Sequence, residues 1–274
     1  MTQTVSATDL TKTYPGDVRA LDGLSFEVAA GSVFALLGPN GAGKTTTVRI
    51  LTTLSRPDSG AASVAGIDVL AHPARVRSVI GSVSQHSSAV GLLTGRENLM
   101  LQGRIYGLGG RELRKRVAFL LDALGLAEAA GRQARTYSGG MRRRLDVATV
   151  LVHRPSVLFL DEPTTGLDPE GRADLWAVLT GLAGEGTTIV VTTHYLEEAD
   201  QYAARVAIVD RGRVVAEGAP AELKAGLGAS GVPVRAVTVA GPSLDDVYLH
   251  YAGRSFHAAD AGAEPAAASP ALSR

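Results

Sequence analysis

The sequence predicts an α/β fold with a parallel central sheet, and three observations carry that reading. Short, nearly continuous apolar runs occur at 32–37 ("SVFALL"), 156–160 ("SVLFL") and 188–193 ("TIVVTT"). Such runs suit strands covered on both faces, as the strands of a parallel sheet are. Helical segments lie between and after them, which is the alternation that builds such a sheet. The stretch from about Leu92 to Leu151 has helical periodicity and no strand, so a helical lobe is predicted as an insert between two parts of the core.

The elements follow in order. The opening reads as β: Val5 to Leu10 is one candidate strand. In "LSFEV" (24–28), Leu24, Phe26 and Val28 alternate inward against Ser25 and Glu27. An Ala-Ala-Gly turn leads into "SVFALL", and the helix "TTTVRILTTL" comes after it. Thr94 and Glu97 have capping-box spacing ahead of "NLMLQGRIYG". Leu113, Val117, Leu120, Leu121 and Leu124 repeat at helical spacing, with Gly125 as the stop. Near the end, "VAIVDRGRVVAEG" places apolar runs around Arg211 and Gly212 and reads as a hairpin. The expected division is a core over about 5–86 and 152–218, a helical subdomain over about 87–151, and a C-terminal extension over 219–254. Residues 255–274, Ala- and Pro-rich, read as a disordered tail.

Composition bounds the function. A chain of 274 residues, 45% hydrophobic and 20% charged, is long enough for one large domain with a sizeable core. Its formal net charge of zero gives no support to a whole-protein electrostatic role on nucleic acid. There is no cysteine, which excludes disulfides, thiolate metal sites and cysteine catalysis. The opening "MTQTVSATDLTKTYPGD" lacks the basic patch and apolar run of a signal peptide. No apolar run approaches the ~20 residues that span a bilayer, so the chain is expected not to cross a membrane.

The strongest chemical signal is "GPNGAGKTT" (38–46). It matches G-x-x-x-x-G-K-[ST], follows a buried strand and precedes a helix, the context a P-loop requires. Gly38, Gly41 and Gly43 let backbone N–H groups curl round β- and γ-phosphates. Lys44 neutralises them, and the Thr45 hydroxyl suits Mg²⁺. The expected nucleotide-binding set is Gly38, Pro39, Asn40, Gly41, Ala42, Gly43, Lys44, Thr45 and Thr46.

A carboxylate pair supports it. "SVLFLDEP" ends a buried strand in Asp161 and Glu162, where the C-terminal edge of a parallel sheet opens onto a ligand crevice. Asp161 suits a Mg²⁺ shell, and Glu162 is placed to orient or deprotonate a water. A second phosphate-type stretch is "TYSGGMRRR" (136–144). Ser138 can cap a helix and offer its hydroxyl, while Gly139 and Gly140 permit close backbone approach to an anion. An ordinary N-cap describes the same three residues. Taken singly, His194, Gln85 and Tyr14 read as ordinary residues, and Asp168 serves equally as the N-cap of a helix opening at Pro169. The run Arg142 to Arg144 lies on an amphipathic helix with Met141, Leu145, Ala148 and Leu151, and reads as a solvated face with interdomain ion pairs.

In order along the chain, these motifs resemble the nucleotide-binding subunit of ATP-binding-cassette (ABC) transporters. The match covers Tyr14, the P-loop, Gln85, "YSGGM" (137–141), "LFLDEP" (158–163), "GLD" (166–168) and His194. It runs from about Ala7 to Gly218, with an extension to near Arg254. "TGRENL", "DEPTTGLDP", "HYLEEADQ" and "PSLDDVYLHYAGRSF" are similar to the daunorubicin-resistance-type branch of bacterial drug and antibiotic exporters. Two departures stand out: Met141 replaces the usual Gln of the signature, and Gln85 sits in "SVSQHSS" instead of a Val-Pro-Gln setting.

The resemblance implies one ABC domain over 1–254, with a P-loop NTPase (RecA-like) core, an antiparallel β subdomain and the inserted helical lobe. It implies an ATPase using ATP and Mg²⁺, with Glu162 as general base and His194 on the γ-phosphate. Tyr14 would stack on adenine, Thr45, Gln85 and Asp161 would serve the metal, and Asp168 would communicate across an interface. It further implies a homodimer of cassettes in which Ser138, Gly139 and Gly140 cover the partner's ATP. The dimer would work on a separately encoded membrane permease at the cytoplasmic face of a bacterial membrane, without nucleic acid. ABC-type ATPases of DNA maintenance or translation usually carry a long coiled-coil insertion or two cassettes, and neither occurs in this sequence. A regulatory module without turnover is disfavoured by the presence of Glu162 and His194.

Overall fold

A computed structural model describes residues 3–84, 87–229 and 243–256. Two long strands open the chain, β1 (Gln3–Tyr14) and β2 (Val18–Ala29), followed by β3 (Val33–Leu37) and α1 (Lys44–Leu51). Next come β4 (Ser59–Val64), β5 (Ile67–Asp68), α2 (Pro73–Val79) and β6 (Ile80–Val83). The helical stretch holds α3 (Gly95–Ile105), α4 (Gly110–Ala123), a 3₁₀ turn at Ala134–Thr136 and α5 (Gly139–Val150). After it the chain alternates β7 (Val157–Asp161), α6 (Pro169–Gly184), β8 (Thr188–Thr193) and α7 (Leu196–Tyr202). The hairpin β9 (Arg205–Asp210) and β10 (Arg213–Gly218) leads to α8 (Pro220–Ala229) and α9 (Leu244–Ala252).

The strands form two sheets. One is antiparallel, in the order β2-β1-β4-β5; the other runs β10-β9-β3-β8-β7-β6 and is parallel except for β10. The strand period of two sorts the large sheet's side chains onto its two faces. Val33, Ala35, Leu37, Leu158, Leu160, Ile189 and Val191 join a cluster shared with α3, α4 and α5. Their neighbours Phe34, Leu36, Val157, Phe159 and Val190 join a second cluster with β1, β2 and α1. Both faces are therefore covered, which is why these strands read as unbroken apolar runs. Each large side chain so buried contributes roughly 1.5–3 kcal/mol.

Local signals account for the boundaries. Thr94 Oγ1 accepts from Glu97 N at 3.1 Å while Glu97 Oε2 accepts from Thr94 N at 2.8 Å, the expected capping box. Gly125 follows α4 at φ +63°, a conformation that glycine adopts without the Cβ penalty. The antiparallel sheet also takes β4 and β5 from "SGAASV" and "ID", segments too small and polar to stand out as strands.

The C-terminal extension is integral to the fold. Leu244, Val247, Tyr248 and Phe256 are buried. The Tyr248 hydroxyl donates to Asp210 Oδ1 at 3.0 Å, and Arg254 Nη2 donates to the same oxygen at 2.7 Å. Phe256, at the start of the stretch expected as a tail, packs into this extension; the rest of that stretch, from 257, lies outside the described residues. Among the described residues, no helix is long and apolar enough to cross a membrane.

Candidate nucleotide site

The site sits where β3, β8 and β7 end. These three are adjacent and parallel, with Leu37 opposite Thr193 and Asp161 opposite Thr192. The loops leaving their C-terminal edges therefore emerge side by side. The loop after β3 holds Gly38 to Gly43, the one after β7 holds Glu162, and His194 follows β8 at once.

Backbone packing shapes the first loop. A Cβ on Gly38 would lie 2.2 Å from Val209 O, and one on Gly43, at φ +109°, would lie 2.6 Å from Ala20 O. Both glycines are demanded by neighbouring backbone. Gly41, at φ +79°, has nothing within 4 Å of that position and faces open space. The Ala42 carbonyl accepts from Gly212 N at 2.9 Å, tying the loop to the β9–β10 turn. Gly43 caps α1 without a side-chain acceptor, and the first turn of α1 carries no acidic residue. Its leading N–H groups and the positive end of the helix dipole suit an anion.

Lys44 is buried, 5% exposed. Its Nζ donates to Gly38 O at 2.6 Å and Pro39 O at 3.0 Å, and lies 3.8 Å from Glu162 Oε1. The same Glu162 oxygen lies 3.3 Å from His194 Nδ1, without a hydrogen bond between them. Glu162 has φ +49°, a strained value for a long side chain. Its N–H donates to Thr192 O at 3.1 Å and to Thr192 Oγ1 at 3.0 Å. Asp161 is buried, and its Oδ1 accepts from both Thr45 Oγ1, at 3.2 Å, and Thr192 Oγ1.

Thr45 and Asp161 are hard oxygen donors in contact. No group of three or more His, Asp or Glu side chains able to hold a metal occurs among the described residues. This pair suits a cation that takes most of its ligands from phosphate and water, as Mg²⁺ does, and not one held in a protein cage.

Other expected residues fall elsewhere. Tyr14 ends β1, paired with Val18 in the hairpin whose second strand presses Ala20 against Gly43. Ser138 Oγ accepts from Met141 N at 3.2 Å and caps α5, with Ser138 and Gly139 exposed. No hydrogen bond or ion pair among the described residues joins Ser138, Gly139 or Gly140 to the Lys44 cluster. Asp168 caps α6, accepting from Gly171 N at 2.9 Å. Gln85 lies outside the described residues.

Three site-adjacent residues escaped the sequence reading. Thr192 donates to the Asp161 carboxylate and accepts from the Glu162 N–H; hydroxyls inside a buried strand are its signal. Glu198 is buried, accepts from Thr164 Oγ1 at 2.8 Å and lies 3.9 Å from Arg172. Burial pushes its carboxyl above the usual range, against the opposing Thr164 hydrogen bond. Arg143 corrects the reading of the basic run. Arg142 is exposed and Arg144 lies 4.0 Å from Asp174, as a solvated face with ion pairs requires. Arg143 between them is only 8% exposed.

Comparison with known proteins agrees with this architecture. The ABC transporter family profile matches residues 21–165. The daunorubicin/doxorubicin resistance ATP-binding protein DrrA of Streptomyces peucetius is 50% identical over 234 residues, 85% of this chain and 71% of that protein. The Nod factor export ATP-binding protein I of Ralstonia nicotianae is 44% identical over 222 residues, covering 81% and 69%. Among solved structures, a dimeric ATP-binding cassette in a post-hydrolysis state with ADP and Pi superposes with a TM-score of 0.73 at 28% identity. That match covers 78% of this chain and 98% of the cassette.

Proposed function

This chain belongs to the ABC transporter family, as an ATP-hydrolysing subunit that works with a separate membrane subunit, and from that premise we propose how its residues divide the work. Two copies pair head to tail and close on two molecules of Mg-ATP. The pair drives export of a drug, antibiotic or other hydrophobic compound from the cytoplasmic face of the membrane.

In each site Lys44 neutralises the β- and γ-phosphates, and the N–H groups of 38–46 wrap them. Glu162 accepts a proton from the attacking water, so that ATP and water become ADP and phosphate. The observation that carries this reading is the Glu162 carboxylate lying between the Lys44 ammonium and the His194 ring. His194 contacts the γ-phosphate and Tyr14 stacks on adenine. Thr45, Asp161 and Gln85 would hold Mg²⁺, and the ion would supply charge neutralisation to the phosphates.

Ser138, Gly139 and Gly140 complete the partner's site, and Asp168 communicates across the interface. The open N-terminus of α5 supports that role: its first turn carries no acid, and space around Gly139 is clear. Residues 87–151 receive the membrane subunit, and exposed Leu101, Ile105, Tyr106 and Leu108 support that surface.

ATP turnover of the purified chain, alone and with its membrane subunit, tests the reading. Turnover should depend on Lys44, with Lys44→Ala losing ATP binding while circular dichroism stays normal, and should respond to the membrane subunit. Retained ATP affinity in Lys44→Ala would overturn the assignment of the loop.

A further inference from the structure

Arg143 lies five residues after Ser138, on the same helix, and spends every arm of its guanidinium on carbonyl oxygens near the site. Nε donates to Pro163 O at 2.9 Å, Nη2 donates to Asp161 O at 2.8 Å, and Nη1 donates to Ser84 O. The first two carbonyls bracket Glu162; the third belongs to the residue preceding Gln85. A buried cation without a direct carboxylate contact is costly unless its donors are matched. The planar fork of arginine can match three fixed acceptors at once, and an ammonium cannot.

The bracketed residue is the one that needs holding. Glu162 sits at φ +49°, and rotation of the Asp161–Glu162 peptide is the direct way to release that strain. That peptide is gripped along both edges. Arg143 donates to its carbonyl, and Thr192 accepts from its N–H. One turn further along α5, buried Asp146 accepts from Ser87 Oγ, Ser88 N, Ser88 Oγ and Ala89 N at 3.0–3.2 Å. The helix thus carries a cation that grips the Glu162 loop and an anion that grips the segment beyond Gln85.

We propose that Arg143 is a positioning residue for ATP hydrolysis. It fixes the Asp161–Glu162 peptide from the helix that bears Ser138, Gly139 and Gly140, so that the Glu162 carboxylate is aimed at the attacking water only while α5 is seated. Engagement of the N-terminus of α5 by the nucleotide of a partner copy is thereby coupled to water activation in this chain's own site. The inference rests on Glu162 being the general base.

The deciding variant is Arg143→Lys in the full chain, because Arg143→Met leaves three buried carbonyls unpaired and can unfold it. Lysine keeps the charge and reaches only part of the acceptor set. With the melting temperature as a control, Arg143→Lys should lower kcat about 10- to 100-fold, the scale of a misplaced catalytic group. KM and the affinity for Mg-ATP should stay within about twofold, as for an interaction felt only in the transition state. Adding Arg143→Lys to Glu162→Gln should lower the residual rate no further, because residues acting through one step are not additive.

An unchanged kcat, a parallel loss of kcat and ATP affinity, or a full additional loss in the double variant would each overturn the proposal. Glu162→Gln alone separates the two levels. If it hydrolyses at near the wild-type rate, the base assignment falls and this inference falls with it. If its kcat collapses while Arg143→Lys keeps its own, only the inference falls.

Discussion

The Lys44 ammonium and the Glu162 carboxylate stand 3.8 Å apart, both largely buried at the end of the parallel sheet. In the proposed site, phosphate oxygens would compete with Glu162 for this one cation. Removing the Glu162 charge should leave Mg-ATP affinity equal or higher. The same change removes the proposed proton acceptor, so Glu162→Gln should lower kcat by about 10²–10⁴. An ATP-bound dimer should accumulate, visible by light scattering. Near wild-type turnover would show that another group is the base.

Glycines of the loop should separate by what surrounds them. Alanine at 38 or 43 forces a Cβ against Val209 O or Ala20 O, both backbone atoms of core strands. Gly38→Ala and Gly43→Ala should cost about 1–3 kcal/mol, lowering the melting temperature by several degrees. Gly41→Ala meets no neighbour and adds only the left-handed strain of roughly 1–2 kcal/mol. Its larger effect should be on ATP affinity, since its open side faces away from the core. Thermal unfolding and nucleotide titration of the three variants would check this ordering.

Acid should act through His153, which joins the helical lobe to β6. Its Nε2–H donates to Ile80 O at 2.9 Å, its ring stacks on Tyr106 at 3.8 Å, and its Nδ1 is buried without a partner. Burial lowers its pKa, with the Ile80 hydrogen bond opposing. Below about pH 6.5, the ordinary value, the unfolded chain binds more protons at this residue than the folded one. The stability it contributes is present above that pH and is lost as pH falls toward the lower folded pKa. His153→Gln keeps a donor for Ile80 O and removes the titration. The drop in melting temperature between pH 7 and pH 5.5 should be smaller in the variant than in wild type, and equal drops would contradict the assignment.

Much of this architecture is legible in the residues themselves. The P-loop, Asp161, Glu162 and His194 stand at the ends of strands apolar enough to recognise, so their meeting follows from the sheet order once the fold is known. Arg143 is different. A basic triplet after a glycine pair reads as solvated when α5 is taken as an amphipathic surface helix. In the folded chain α5 is buried on most sides, through Leu145, Asp146, Val147, Ala148 and Val150. A charge inside such a helix must find partners, and those partners are backbone carbonyls, which leave no trace in sequence. The strands β4 and β5 were hidden for another reason: they complete an antiparallel sheet through backbone pairing, with small side chains that give little periodicity.

The claim that each ATP site is shared between two chains is tested most directly by mixing two inactive variants. Gly139→Asp damages the stretch offered to the partner, and Lys44→Ala damages the chain's own loop. Each parent homodimer has two damaged sites and should be inactive. A mixed dimer concentrates both lesions in one site and leaves the other intact, so ATP hydrolysis measured across mixing ratios should recover part of the wild-type rate and peak near equal amounts. Mixtures no more active than either parent, with heterodimers shown to form, would contradict shared sites that turn over independently. Normal hydrolysis by the Gly139→Asp homodimer would contradict any role for this stretch in the partner's site.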